Sequence, residues 1–163
     1  MPTLASIEAA LIQGRRLGRW LDVVGLDAVT QDGTNADLVD PIRHAVAFSG
    51  VTLATASTVV SADVSGLGSG DYDKVLDVAE LRVLETVRKI LPFGFDPSRF
   101  TKSGMDLATA LKLLDTEIKR MNQRCVDLYG YNLGVATISS LDLSISATNA
   151  EIATIIQDNL SEA

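Results

Sequence analysis

A single cysteine, Cys125, excludes an intrachain disulfide, which fits a reducing compartment. A single histidine, His44, has no second imidazole with which to share a metal. Aromatic residues make up only 5% of the chain, so its core must be built from Leu, Val, Ile and Ala, which favours packed helices over an aromatic-rich β-sandwich. No apolar run approaches the ~20 residues of a membrane span. No signal peptide is expected, because the apolar stretch 9–12 precedes Arg15 and Arg16 instead of following them. Positive charge is also scarce: 14 basic residues against 21 acidic ones give a net charge of −7. That argues against whole-chain attraction to nucleic acid, although a surface that repels phosphate can surround DNA without sticking to it.

What the chain does have is apolar content, 47% of 163 residues, enough for one domain with room for an appendage. Its organising stretch is 71–91, DYDKVLDVAELRVLETVRKIL. Leu76, Ala79, Val83, Val87 and Ile90 recur at three and four, the period of one helical face. Val75, Val78, Leu81, Leu84 and Leu91 widen that face, as in a helix buried on several sides. Pro92 is expected to stop it. Ser69 or Asp71 is expected to cap it, and the glycines of GLGSGD read as its lead-in, since the Lys-Ser/Thr of a phosphate loop is missing.

Upstream, residues 2–24 read as one bent helix or two short ones, with Leu4, Ile7, Leu11, Leu17, Leu21 and Val24 inward and Gly14 and Gly18 weakening the pattern. Arg15, Arg16 and Arg19 form a small basic cluster, either a solvated face or a contact for an acidic partner or DNA phosphate. QDGTN at 31–35 is a turn by composition. A helix is expected next, capped by Asp40 with Pro41 in its first position, with Ile42, Ala45 and Val46 or Phe48 inward and Gly50 at its end. His44 on it reads as a surface residue. Residues 51–55 form a candidate short strand.

Downstream, PFGFDPSRFTK at 92–102 holds Phe93, Phe95 and Phe100, which either plug helix ends or anchor a neighbouring subunit. Ser103 is expected to open the longest helix, with Asp106 completing a capping box. Leu107, Leu111, Leu114, Ile118, Met121, Cys125 and Leu128 make a heptad seam along it, so Cys125 reads as a small core residue. Asp115–Lys119 and Glu117–Arg120 are expected to pair on its outer face, and Gly130 to end it. Beyond Gly130 the chain lacks Lys and Arg. Leu141, Leu143 and Ile145 alternate with polar residues like a one-sided strand, and Ile152, Ile155 and Ile156 then mark a short amphipathic helix. A lone strand needs an edge to pair with, so this segment either adds itself to a partner's sheet or is an irregular arm wrapped on the chain's own helices.

The expected fold is therefore all-α: a small bundle on two long antiparallel helices, with a helical body at 1–130 and an extended C-terminal arm at 131–163 that contains a short strand and a terminal helix. Asp77, Glu80 and Glu85 are the carboxylates one would test for chemistry, but Glu80 and Glu85 have Arg or Lys neighbours to pair with. Without a histidine pair, a Cys–His arrangement or a phosphate loop, no enzyme, metal or cofactor is expected.

Residues 36–132 resemble the head–tail adaptor, or head-completion, proteins of tailed bacteriophages. Carrying the resemblance are Asp40-Pro41, then Val60-Ser61-Ala62-Asp63, the run VLDVAELRVLE at 75–85, and Leu128-Tyr129-Gly130. It implies a virion protein of the neck, made in the host bacterial cytoplasm. Such a protein forms a homo-oligomeric ring, commonly of 12 copies, that docks under the portal protein, extends the DNA channel and seats a stopper or other tail-proximal protein. DNA would pass close by without specific contact, and no membrane is involved. On that reading Leu141, Leu143, Ile145, Ile152, Ile155 and Ile156 would dock on the portal, while Phe93, Phe95, Phe100, Arg15, Arg16 and Arg19 would meet a neighbouring subunit or neck protein. The family supplies no catalytic residues, and PFGFDPSRFTKSG is longer than its usual helix–helix connection. The alternative is a helical regulatory or scaffold module that contacts nucleic acid or protein.

Overall fold

The computed structural model describes residues 1–94 and 106–131. The chain divides into two units, Met1–Gly130 and Tyr131–Ala163. The described residues are mostly helical, and no strand occurs among them. Candidate residues Phe95, Phe100, Leu141, Leu143, Ile145, Ile152, Ile155 and Ile156 lie outside the described residues, as does Ser103.

The N-terminal stretch is two helices. Helix α1 (Leu4–Ala9) starts at a reciprocal cap: the Thr3 hydroxyl accepts from the Ser6 amide at 3.1 Å, and the Ser6 hydroxyl accepts from the Thr3 amide at 2.9 Å. It continues as one π-helical turn, Ala10–Gly14. The chain then passes through Arg16 at φ 59°, a left-handed conformation uncommon outside glycine. Helix α2 (Gly18–Val23) follows. A Cβ at Gly18 would stand 3.2 Å from the Ile12 side chain, so glycine allows this close approach. Leu4, Ile7, Leu11, Leu17 and Leu21 are all buried, as their spacing predicts.

Helix α3 (Ala36–Phe48) begins five residues earlier than expected. Its cap is Asn35, whose side-chain oxygen accepts from the Asp37 amide at 3.1 Å. Pro41 therefore lies inside the helix and Asp40 caps nothing. Asn35 prevails because its whole side chain is used: Nδ2 also donates to the carbonyls of Asp27 and Thr30, at 3.1 and 2.9 Å. Buried Glu8 closes the same turn, accepting from the amides of Gly33 (2.7 Å) and Asn35 (3.0 Å). Ile42, Ala45 and Val46 face inward, and Gly50 follows the helix at φ 94°.

The strand expected at 51–55 is not formed. Its backbone is committed elsewhere. The Ala54 amide donates to Asp63 Oδ1 at 3.0 Å, while Arg43 Nη1 donates to the Ala56 carbonyl at 3.0 Å. Asp63 also accepts from the Val60 amide at 2.9 Å, which fixes the start of α4 (Ser61–Ser65).

Helix α5 (Ser69–Gly94) is the centre of the unit. Ser69 is already its first residue, and the Gly68 carbonyl accepts from the amides of Asp71 and Tyr72. From Val75 to Leu81 every residue is buried, and Val83, Leu84, Val87 and Leu91 extend the core. Full burial of leucines such as Leu81 and Leu84 is worth about 1.5–3 kcal/mol each. The helix touches α2, α3 and the π turn, and packs most extensively on α3 and on α6 (Leu107–Tyr129). Pro92 does not stop it. The helix runs on to Gly94, because the bond lost at Pro92 concerns only the carbonyl of Arg88, an exposed residue that water can serve.

Helix α6 starts at Leu107, not Ser103. Asp106 is its cap, accepting from the Thr109 amide at 2.7 Å. With 23 residues it is shorter than the 26 of α5, so it is not the longest helix. Of the predicted seam, Leu114, Met121 and Cys125 are buried, Leu107, Leu111 and Ile118 are half-buried, and Leu128 is exposed. Ala110 joins the buried set, so the covered stripe is rotated a little from the heptad line. Asp115 meets Arg88 of α5 instead of Lys119, whereas Glu117 and Arg120 pair as expected, at 2.7 Å. Gly130 ends the helix at φ 67°.

Candidate functional site

Within the otherwise apolar girdle of α5 sit two acids one helical turn apart, Asp77 and Glu80. Asp77 is 0% exposed and Glu80 only 5%. Isolated buried carboxylates would cost several kcal/mol each, so their partners matter most. Arg15, delivered by the π turn, stands 2.8 Å from Asp77 Oδ1 and donates to Glu80 Oε2 at 3.2 Å. Towards Asp77 it lies off the hydrogen-bond line, so Oδ1 is neutralised by charge without accepting a hydrogen bond. The other oxygen, Oδ2, accepts from Arg124 Nε at 2.8 Å and from the Tyr129 hydroxyl at 2.9 Å. One carboxylate thus joins the N-terminal segment, α5 and both ends of the last turns of α6.

The electrostatics follow from burial. Burial raises the Glu80 carboxyl, the Arg15 guanidinium works against it, and Asp77 adds to the rise. Cys125 is pushed up to about 11, first by burial and then by Asp77 and Glu80. Such a thiol is almost wholly protonated near neutral pH and therefore a poor nucleophile. The Tyr129 hydroxyl is raised by burial and then by its bond to Asp77. Both oxygens of Asp77 and one of Glu80 face a cation or a phenol, an arrangement suited to joining helices. Glu85, the third acid considered, lies 3.6 Å from Arg82 and 3.5 Å from Lys89 on its own helix. Among the described residues no group of three His, Cys, Asp or Glu could hold a metal ion, and no helix is long and apolar enough to cross a membrane.

The three N-terminal arginines part company. Arg15 turns inward onto the acids, while Arg16 and Arg19 are exposed, Arg19 lying 5.5 Å from the Trp20 ring centre. Phe93 is 92% exposed at the end of α5. His44 is partly exposed and 3.8 Å from Asp40, as a surface histidine would be. Arg124 and Tyr129 were missed as partners of Asp77. The available signal was an aspartate set among Val75, Leu76, Val78 and Ala79, where a charge requires compensation from elsewhere.

In comparisons with known proteins, no family model, curated protein or solved structure matches this chain.

Proposed function

We propose that this chain is a structural subunit of a bacteriophage neck, an adaptor whose copies form a ring under the portal, lengthen the DNA channel and seat the next neck or tail component. The observation that carries the reading is the run VLDVAELRVLE, which resembles the adaptor family and coincides with the most deeply buried part of α5. A protein whose task is assembly needs a rigid body with contact surfaces, and a central helix enclosed by its neighbours supplies the rigidity. The charge pairs support a bundle in which α5 and α6 are antiparallel, since Asp77 meets Arg124 while Arg88, further along α5, meets the earlier Asp115.

In this reading residues 131–163 form the arm. The alternating Leu141, Leu143 and Ile145 add a strand to the portal, and Ile152, Ile155 and Ile156 pack beside it. The role is structural, not catalytic, and the working location is the virion neck. Ring contacts through Phe93, Arg16 and Arg19 are compatible with their exposure.

The test is co-assembly with a portal encoded beside the gene. The full chain is expected to be a monomer or weakly associated alone and to form rings with the portal, seen by electron microscopy. Removing 131–163 is expected to abolish portal binding while helical circular dichroism and cooperative unfolding persist. Undiminished binding by the truncated chain would sink the docking role of the arm, and failure of the full chain to bind any cognate portal would sink the neck reading.

A further inference from the structure

The chain holds a single Asp–Gly pair, Asp32-Gly33, and no Asn–Gly pair. An aspartyl–glycyl bond is unusually open to attack by its own backbone, because glycine has no Cβ to shield its amide nitrogen. The fold cannot dispense with this glycine. Gly33 sits at φ 94°, and a Cβ there would stand 3.4 Å from the Leu4 side chain. Asp32 is not idle either: its Oδ1 accepts from the Thr34 amide at 3.1 Å and from the Thr34 hydroxyl at 2.6 Å.

The folded loop ties down both reacting groups. The Gly33 amide donates to Glu8 Oε2 at 2.7 Å, and Glu8 is only 2% exposed. To attack, that nitrogen must give up its proton and turn its lone pair to Cγ of Asp32. A carboxylate in contact with the nitrogen opposes the amide anion, and the hydrogen bond fixes the peptide plane. Thr34 meanwhile holds the Asp32 carboxyl towards its own amide instead of that of Gly33.

We propose that Asp32-Gly33 is a site of spontaneous covalent modification, conversion to isoaspartate, which Glu8 and Thr34 keep closed in the folded chain and which opens when residues 32–35 come away from Glu8. In the first step the Gly33 nitrogen bonds to Asp32 Cγ, the bond from Cγ to one carboxyl oxygen breaks, and that oxygen leaves as water with the amide proton. In the second, water adds to the main-chain carbonyl of the resulting five-membered imide and breaks its bond to nitrogen. The chain then runs through Cβ and Cγ, and the former main-chain carbonyl is a free carboxylate. One water is lost and one gained, so no other reactant is needed.

The product cannot refit the turn. Its main chain carries one extra carbon between residues 32 and 33, whereas Glu8 accepts from the amides of both Gly33 and Asn35, and Asn35 caps α3. A single event is therefore expected to loosen both the cap and the tie from α1 to α3. Nothing in this chemistry depends on the neck role.

The test ages the full chain in neutral buffer, folded and in guanidinium chloride, and measures isoaspartate at residue 32 by labelling with an isoaspartyl methyltransferase and peptide mass spectrometry. The folded chain is expected to convert at least about tenfold more slowly than the unfolded one, since it reacts only through local opening. Glu8→Gln and Thr34→Val, folded by circular dichroism, are expected to convert faster than wild type, and Asp32→Ser to give no product. If Glu8→Gln does not fold, Thr34→Val decides, because Thr34 is exposed and its loss leaves the core intact. Equal rates in folded and unfolded chains overturn the proposal, as do folded variants that convert no faster than wild type. Slower conversion in Glu8→Gln also overturns it, by making Glu8 the base that promotes attack. Aged protein is expected to unfold at lower denaturant than fresh protein, and an unchanged midpoint would show that the product does refit the turn.

Discussion

Replacing Asp77 with Asn tests whether the buried charge cluster holds the body together. Asn keeps the shape and one oxygen, which still accepts from Tyr129, but it places an NH2 group where an arginine is presented. Two guanidiniums lie 2.8 Å from the carboxylate, whose own exposure is 0%. At an effective dielectric constant near 20 each pair attracts by about 4 kcal/mol at ~4 Å, and desolvation of the ions removes several kcal/mol of the total. Breaking a buried pair typically costs 3–5 kcal/mol. Arg124 is 45% exposed and recovers some solvation, which puts Asp77→Asn near the lower end, about 3 kcal/mol. With a urea slope of about 2 kcal/mol/M the midpoint would fall by about 1.5 M. Circular dichroism against urea reads this directly. Asp73→Asn, at an exposed carboxylate, is the control and should stay within about 0.5 kcal/mol of wild type. If Asp77→Asn also stays within about 0.5 kcal/mol, the cluster does not hold the helices together and the reasoning fails.

Two further outcomes follow from the same cluster. Burial raises Glu80 above its ordinary 4.5, so the folded state favours its protonated form; that contribution is full below 4.5 and is lost as pH rises through the folded value. Glu80→Gln should therefore match wild type in acid and exceed it near neutral pH in urea titrations, and a loss at neutral pH would mean that Arg15 outweighs burial. Cys125, raised to about 11, should resist a thiol reagent in the native protein at mildly alkaline pH and react fully in urea, so rapid native labelling would contradict its burial.

The sequence revealed elements better than their ends. Residues 71–91 announced a buried helix because apolar residues lie on most of its circumference. The ends were harder because several residues could serve as caps. Asp40-Pro41 makes a plausible start, yet Asn35 wins through bonds to Asp27 and Thr30, residues that composition marks only as turn neighbours. Ser103 and Asp106 form a plausible box with Ser103 as the cap, yet Asp106 is the residue that caps α6. The proline rule misplaced the end of α5 by assuming that one missing amide ends a helix. The charge cluster could not be read because Arg15 and Arg124 are distant in sequence, and only packing of α5 on the π turn and on α6 brings them to Asp77.

The position of α5 also bears on synthesis. Leu4, Ile7, Leu11, Leu17, Leu21, Leu38 and Ile42 all precede it in the chain and are all buried in the finished unit. Until α5 is made, the ribosome presents these side chains with little of their final cover. At ~5–20 residues per second the 26 residues of α5 take about one to five seconds to add. The nascent chain is thus at its stickiest just before its middle emerges, and that interval is when a holding chaperone would matter most.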